Sequence, residues 1–189
     1  KTWLGRGWRF SIQQTLISSW FYGLRDDAYE NYPYVYTDGD GTEHYIYYNE
    51  DDDVYEDEDG LGLTLTFDEE HDDPQWYLLT DKKDNTLKFN INGNLVESKD
   101  ANGNKITISY NGKKISKVTD GSGKDYNFVY ATTDSGAEKN YVRYIVHPSG
   151  DVTTFKYNLA ASLAEITHSD GSVSYFTYED SNDRSMLTA

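Results

Sequence analysis

Two short stretches, Asp100-Ala-Asn-Gly103 and Asp120-Gly-Ser-Gly123, show the pattern that decides the fold. Each begins with aspartate and ends with glycine, and a tyrosine follows seven residues after the glycine, at Tyr110 and Tyr130. The pattern recurs, with aspartate or histidine first, at Asp38–Gly41, His147–Gly150 and His168–Gly171. A period of about 20 residues is typical of an array of small units that must stack to share a core.

The short stretches themselves predict tight turns. Aspartate in the first position and glycine in the fourth are typical of a type I turn in which the glycine takes a positive φ. The aspartate side chain can accept hydrogen bonds from backbone N–H groups of the same turn. The predicted structural turn residues are Asp38, Gly41, Asp100, Gly103, Asp120, Gly123, Gly150 and Gly171.

The residues around each turn alternate as strands do. Counting from the turn glycine, the third, fifth and seventh residues are mostly apolar and share one face of a strand. They are His44, Ile46 and Tyr48; Ile106, Ile108 and Tyr110; Tyr126, Phe128 and Tyr130; Thr153, Phe155 and Tyr157; and Ser174, Phe176 and Tyr178. In the deviant turn at Asp81–Asp84 the same count gives Leu87, Phe89 and Ile91. The chain is therefore expected to be all-β, with consecutive antiparallel β-hairpins forming a repeat array.

The strands that precede the turns carry apolar residues three positions apart, which breaks strict alternation. This spacing predicts a β-bulge or a bend in that strand. The pairs are Trp76/Leu79, Ile115/Val118, Val142/Ile145 and Leu163/Ile166.

Composition narrows the function classes. The 189 residues carry a formal charge of −16, which disfavours nucleic acid and anionic membranes as partners. Cysteine is absent, so a disulfide framework, a thiolate nucleophile and a cysteine-ligated zinc site are excluded. No apolar run approaches the roughly 20 residues of a membrane helix, so no membrane insertion is expected. Tyrosine, with 18 copies, suits half-buried strands.

Two segments carry a family resemblance. Phe89-Asn-Ile-Asn-Gly-Asn-Leu95 and Tyr157-Asn-Leu-Ala-Ala-Ser-Leu163 resemble the Tyr-Asp-x-x-Gly-x-Leu unit of the RHS or YD-repeat family, and Tyr110–Ile115 resembles a shortened form. The segments Gly5–Trp8, Asp38–His44 and Glu58–Leu63 resemble the lead-in to the repeats of wall-associated RHS proteins from Gram-positive bacteria. The resemblance implies a partial YD-repeat β-shell or a twisted sheet. It also implies three segments: a lead-in or cap (1–31), a first hairpin with an acidic insert and a strand (32–76), and hairpin repeats (77–189).

The family resemblance also directs the functional expectation. It implies a secreted or cell-surface bacterial protein. This segment would be structural and adhesive, and not an enzyme. Its expected partners are further repeats of the same polypeptide and glycans or another cell surface. One alternative is a shell segment of a polymorphic toxin that encloses a C-terminal toxic domain, although no toxin-type core motif is recognisable. Another is a carbohydrate-binding module. Trp8 is expected to cover the first open edge of the array.

Candidate site residues are few. Tyrosines on an exposed strand face can stack on sugar rings, and Tyr45, Tyr47 and Tyr175 fall on the outer face by parity. The run Glu50–Asp59 could hold Ca²⁺, with Asp51, Asp53, Asp57 and Asp59 as candidate ligands. It lacks EF-hand spacing, and a solvated acidic loop is the favoured interpretation. No residue set predicts catalysis: the histidines are scattered, and no nucleophile motif is present.

Overall fold

The predicted all-β class is confirmed. The structure, a computed structural model, describes residues 3–5, 7–18, 32–67, 75–131 and 140–178. The described strands are β1 (Thr15–Ser18), β2 (Tyr34–Thr37), β3 (Glu43–Asn49), β4 (Val54–Asp57), β5 (Thr64–Phe67), β6 (Trp76–Thr80), β7 (Thr86–Asn90), β8 (Leu95–Lys99), β9 (Lys105–Asn111), β10 (Lys114–Thr119), β11 (Asp125–Tyr130), β12 (Val142–Val146), β13 (Val152–Tyr157), β14 (Leu163–Thr167) and β15 (Val173–Tyr175). They hydrogen-bond in sequence order from β1 to β15, and the pairs with a defined register are antiparallel.

One turn geometry recurs at the hairpin ends. In the turn at Asp100, the aspartate N–H donates to the carbonyl oxygen of Asn104 at 2.9 Å, and the Gly103 N–H donates to the carbonyl oxygen of Asp100 at 3.0 Å. The same two backbone bonds close the described turns that begin at Asp38, Asp81, Asn90, Asp120, His147, Asn158 and His168. The fourth residue has a positive φ in each: Gly41, Asp84, Gly93, Gly103, Gly123, Gly150, Ala161 and Gly171.

The side chain in the first turn position holds the loop backbone. One carboxylate oxygen of Asp100 accepts from the N–H groups of Asn102 and Asn104, both at 2.9 Å. The Asn158 amide oxygen does the same for Ala160 and Ser162, each at 3.0 Å. His168 differs, since its Nε2 lies 3.0 Å from the Ser174 hydroxyl, on the following strand. Aspartate and asparagine therefore cap the turn itself, whereas histidine ties the turn to a strand.

A bulge is present within two of the four pairs for which a bulge or a bend is predicted. Register shifts leave Arg143 as the extra residue between Val142 and Tyr144, and Ala164 as the extra residue between Leu163 and Glu165. These lie within the pairs Val142/Ile145 and Leu163/Ile166. Strand β6 pairs regularly with β7 throughout, so the Trp76/Leu79 spacing makes no bulge. A further bulge, at Val96 of β8, was not predicted.

The buried face follows the predicted parity in the middle of four of the predicted strands, while Phe128 and Phe176 are half-buried. The central residues Ile46, Phe89, Ile108 and Phe155 are all buried. Towards the strand ends the prediction fails for Tyr48, Ile91 and Ile106, which are 43 %, 52 % and 40 % exposed. Ile91 lies in the turn after β7, so the buried inward residue of this unit is Phe89 and not Ile91.

The acidic run is not the loop that its composition suggests. Strand β4 occupies Val54–Asp57, pairs with β3 and β5, and turns Asp57 inward. The alternation of apolar residues from Leu61 to Phe67 predicts a strand over residues 60–67. The observed strand is shorter, since β5 begins at Thr64 and Leu61 is exposed in the preceding turn. The glycines at 60 and 62 both have positive φ, which is incompatible with a strand at those positions.

Residues 11–107 form one of two compact units. In this unit β1 pairs with β2 on one side and meets the turn between β7 and β8 on the other. The Leu16 N–H donates to the Gly93 carbonyl oxygen at 2.9 Å, and the Leu95 N–H donates to the Gln14 carbonyl oxygen at 3.3 Å. Leu16 is fully buried as a result.

Residues 1–10 and 108–189 form the other unit. Its core contains Leu4, Val142, Phe155 and Leu163, with aromatic side chains packed around them. The predicted role of Trp8 at the first open edge is wrong. Its ring instead lies 4.7 Å from Phe176 and its indole N–H donates to the Tyr178 hydroxyl at 2.8 Å, beyond the last described strand. No helix of the described residues is long and apolar enough to cross a membrane.

Candidate functional site

Tyr45 and Tyr47 lie on the outer face of β3, as parity predicts. They alternate along the strand with the buried side chains of His44 and Ile46. Both tyrosines are half-buried, so each offers part of its ring and its hydroxyl group to solvent. Strand alternation alone accounts for this placement, because successive side chains point to opposite faces.

A carboxylate lies directly across the ladder from Tyr47. Tyr47 is paired with Glu56 of β4, and its hydroxyl donates to Glu56 Oε1 at 2.6 Å. Asn49 Nδ2 donates to the same oxygen at 2.8 Å. The hydrogen bond to Glu56 raises the pKa of the Tyr47 hydroxyl, and the same bond, followed by that from Asn49, lowers the pKa of Glu56. Glu56 is thus held as a carboxylate beside an aromatic ring.

Tyr45 has aromatic and acidic neighbours on the same face. The ring centroids of Tyr45 and Tyr32 are 5.6 Å apart with the planes tilted by 59°. Glu58 donates its backbone N–H to the Tyr45 carbonyl oxygen at 3.0 Å, and its side chain bonds to Tyr32 and raises the pKa of that hydroxyl. We call the residues Tyr32, Tyr45, Tyr47, Asn49, Glu56 and Glu58 the outer tyrosine face. It combines aromatic rings with hydrogen-bond acceptors.

Tyr175 lies in the other unit, on β15, and is 68 % exposed. It is paired with Glu165, whose carboxylate binds the Lys156 ammonium at 2.7 Å. The hydrogen bond from Lys156 lowers the pKa of Glu165. The arrangement matches that at Tyr47, with an outward tyrosine across the ladder from an ionised glutamate. Such a pair can stack on an apolar ring face and accept hydrogen bonds from hydroxyl groups beside it.

The four candidate calcium ligands do not converge on one site, and three of them form hydrogen bonds with other groups of the chain. The Asp57 carboxylate is buried and accepts from the N–H groups of Leu61 at 2.6 Å and Leu63 at 2.5 Å, which fixes the turn before β5. Asp59 binds His44, Asp53 accepts a hydrogen bond from the Tyr48 hydroxyl, and Asp51 lies exposed in the β3–β4 turn. The described part of the chain contains no group of three or more histidine, cysteine, aspartate or glutamate side chains that could hold a metal ion.

A histidine held between two carboxylates is the feature that sequence reasoning missed. His44 is buried, with Nε2 3.1 Å from Asp38 and Nδ1 2.7 Å from Asp59. Its ring stacks on Tyr36 at 5.6 Å, with an interplanar angle of 29°. Asp38 closes the β2–β3 turn and Asp59 follows β4, so the imidazole joins two turns. The only signal in the sequence was the inward parity of His44, which does not identify its partners.

The electrostatics of this cluster favour an imidazolium between two carboxylates. Burial by itself lowers the pKa of His44, but hydrogen bonds to Asp38 and Asp59 prevail and raise it above its ordinary value. Burial likewise favours neutral Asp38, yet hydrogen bonds from His44 and from N–H groups of the turn hold the pKa of Asp38 at about 2. Because each ring nitrogen is hydrogen-bonded to a carboxylate from a different turn, the imidazole clamps the two turns together.

Comparisons with protein-family models and with curated proteins identified no relative. No protein-family model matches the chain, and no curated protein matches it.

Proposed function

We propose that this chain is a non-catalytic structural and adhesive segment of a secreted or cell-surface RHS or YD-repeat protein, of the kind found in Gram-positive bacteria. The observation that supports this proposal most is that the two segments that best match the repeat motif adopt the same local structure. Both Phe89–Leu95 and Tyr157–Leu163 contain the recurring turn, with positive φ at Gly93 and Ala161. Both have a register shift immediately before the aromatic residue.

Each position of the motif has a physical role in these hairpins. The aromatic residue pairs across the ladder with the motif leucine, as Phe89 does with Leu95 and Tyr157 with Leu163. Both leucines are fully buried. The asparagine caps the turn, and the fourth turn residue supplies the positive φ. The resemblance therefore extends from residue identity to the function of each residue in the hairpin.

The sequential pairing of strands supports a structural role with further repeats of the same polypeptide as partners. Each strand pairs with the strands beside it in sequence, and no hairpin can bury its apolar face without a neighbour. The last described strand, β15, pairs with β14 on one side. Another hairpin added in the same manner would continue the ladder.

The adhesive part of the proposal depends on the outer tyrosine face and on Tyr175. Glycans are the proposed ligands, because sugar rings present apolar faces for aromatic stacking and hydroxyl groups for carboxylate acceptors. The pairs Tyr47–Glu56 and Tyr175–Glu165 supply both kinds of contact. The chain's charge of −16 favours neutral or cationic polysaccharides over polyanionic ones.

The test is retention of the protein on isolated Gram-positive cell walls and on neutral polysaccharides. Binding should weaken in a Tyr45→Ala, Tyr47→Ala double variant. It should persist in Tyr48→Ala, which removes the same side-chain type from the opposite face of the same strand, provided that circular dichroism shows both variants folded. Absence of binding by the unmodified protein would overturn the adhesive role, and release of reducing sugar ends would overturn the non-catalytic assignment.

A further inference from the structure

The N-terminal residues Trp3–Gly5 and Gly7–Phe10, which we call the strap, belong to the unit formed by residues 108–189 and not to the unit that follows them in sequence. The division between the two units falls between Phe10 and Ser11. The strap therefore packs on strands that lie more than 100 positions away in the chain.

The strap forms contacts that resemble those of a bound peptide. Its backbone engages the sheet through Trp3, whose carbonyl oxygen accepts from the Val142 N–H at 2.8 Å. Leu4 is buried in the core cluster with Val142, Phe155 and Leu163. A main-chain hydrogen bond combined with an apolar anchor in a pocket is the usual basis of extended-peptide recognition.

Aromatic side chains extend this contact along the sheet. The Phe10 ring lies 5.3 Å from Phe128 and 6.1 Å from Phe155, in both cases edge-on. Beyond them Trp8 packs on Phe176 and donates to the Tyr178 hydroxyl. That hydroxyl in turn donates to the Leu163 carbonyl oxygen at 2.6 Å, which fixes its position. The strap is therefore recognised at three successive anchors: Leu4, Trp8 and Phe10.

Gly5 makes the recognition selective for shape. It has a φ of +85°, and a Cβ there would lie 2.6 Å from the Ala161 carbonyl oxygen, in the turn between β13 and β14. Real Cβ atoms do not approach a backbone oxygen so closely, so only glycine fits. The other unit contains a similar close approach, between β1 and the β7–β8 turn. There the glycine, Gly93, belongs to the turn and faces the Leu16 carbonyl oxygen of β1.

We propose that this face of the 108–189 unit is a binding site for an extended aromatic peptide, with the strap as its resident ligand, and that the strap of a second copy can occupy it. The binding face and the strap belong to the same unit, and the chain passes into the other unit between Phe10 and Ser11. Exchange between copies would then preserve every contact, as in domain swapping. The partner is thus a second copy of this chain, bound through its residues 3–10.

Two preparations of the whole chain test the proposal. In the first, a protease recognition sequence is inserted between Phe10 and Ser11, and the cleaved protein is passed through a sizing column. In the second, Leu4→Asp is introduced to vacate the site without cleavage. The probe is a fluorescein-labelled peptide of residues 1–10, with a scrambled peptide of the same composition as control.

The cleaved protein should retain its strap and exchange it for excess labelled peptide, and the Leu4→Asp chain should bind the peptide directly. Peptides carrying Leu4→Asp or Gly5→Val should bind about tenfold more weakly or worse. Loss of the strap on cleavage with no rebinding, or a retained strap that never exchanges below the melting temperature, would overturn the proposal. Equal binding of the scrambled peptide would also overturn it. If Leu4→Asp does not fold, the cleaved protein decides the matter.

Discussion

The backbone N–H of Leu16 donates to the carbonyl oxygen of Gly93 at 2.9 Å, which ties the first described strand to a turn 77 positions later. A Cβ on Gly93 would overlap the Leu16 carbonyl oxygen. Gly93 also has a φ of +74°. We therefore expect Gly93→Ala to lower the free energy of unfolding by about 3 kcal/mol, from backbone strain and from the clash with β1.

The matched control is Gly103→Ala in the neighbouring turn of the same geometry. Gly103 has a φ of +89°, but a Cβ there would meet nothing within 4 Å. Only the conformational cost applies, so the expected loss is about 1 kcal/mol. Urea unfolding followed by tryptophan fluorescence measures both. Equal losses in the two variants would show that β1 does not press against the β7–β8 turn.

Phe89 and Ile91 test the anchor of the motif within one hairpin. Phe89 is fully buried, whereas Ile91 is 52 % exposed in the turn. Phe89→Ala should cost about 3–5 kcal/mol through the cavity that it leaves, and Ile91→Ala should stay within about 0.5 kcal/mol of the parent. Chemical unfolding of the two variants gives the comparison. A larger loss for Ile91→Ala would mean that the strand register is two residues away from the one described.

The His44 clamp should make stability fall at mildly alkaline pH. Because its pKa is raised in the folded state, His44 contributes stability that is complete below its unfolded pKa of about 6.5 and is lost as pH rises through the folded value. Asp38 has the opposite sign, so its contribution is present above about pH 4 and is lost as pH falls towards its folded pKa of about 2.

Unfolding measured from pH 5 to pH 9 checks the histidine directly. The parent protein should lose stability across this range, and His44→Gln should remove most of that slope. His168→Gln is the control, because the His168 ring contacts the neutral Ser174 hydroxyl. An NMR titration in which His44 deprotonates below pH 6.5 would contradict the clamp.

The aspartates of the turns should make the protein sensitive to acid. The pKa of Asp120 is lowered, first by the backbone N–H of Lys124 and then by the Ser122 hydroxyl, and the pKa of Asp100 is lowered first by the Asn104 side chain. Their contribution is present above the unfolded pKa near 4 and is lost as pH falls. Asp120→Asn keeps an acceptor oxygen but cannot be protonated in this range. Its melting temperature should therefore fall less than that of the parent between pH 5 and pH 2.5.

The recurring turns could be predicted because their chemistry is local. Aspartate at Asp100 and glycine at Gly103 specify the backbone of four residues without help from the rest of the chain. The bulges at Arg143 and Ala164 were also predictable, because two inward residues three apart require an extra residue between them. At Trp76/Leu79 the same spacing makes no bulge, because only Leu79 is buried and Trp76 lies half-buried on the opposite face of a regular strand.

The long-range contacts could not be predicted from local patterns. Nothing in Gly5-Arg-Gly-Trp8 indicates that Gly5 meets Ala161 or that Trp8 reaches Tyr178. Strand β4 was hidden because its acidic residues have low strand propensity, which pairing with β3 and β5 overrides. His44 was placed on the correct face, but its carboxylate partners come from two separate turns.

Amide hydrogen exchange at Leu16 and Val142 tests the account most directly, because these two N–H groups connect the N-terminal residues to the hairpin array in each unit. Leu16 donates to Gly93, and Val142 donates to Trp3. Both amides should exchange slowly, like those of the strand ladders. The amide of Gly121, the exposed second residue of the turn that begins at Asp120, should exchange rapidly. Exchange of Leu16 and Val142 as fast as that of Gly121 would show that neither segment is seated on the hairpins.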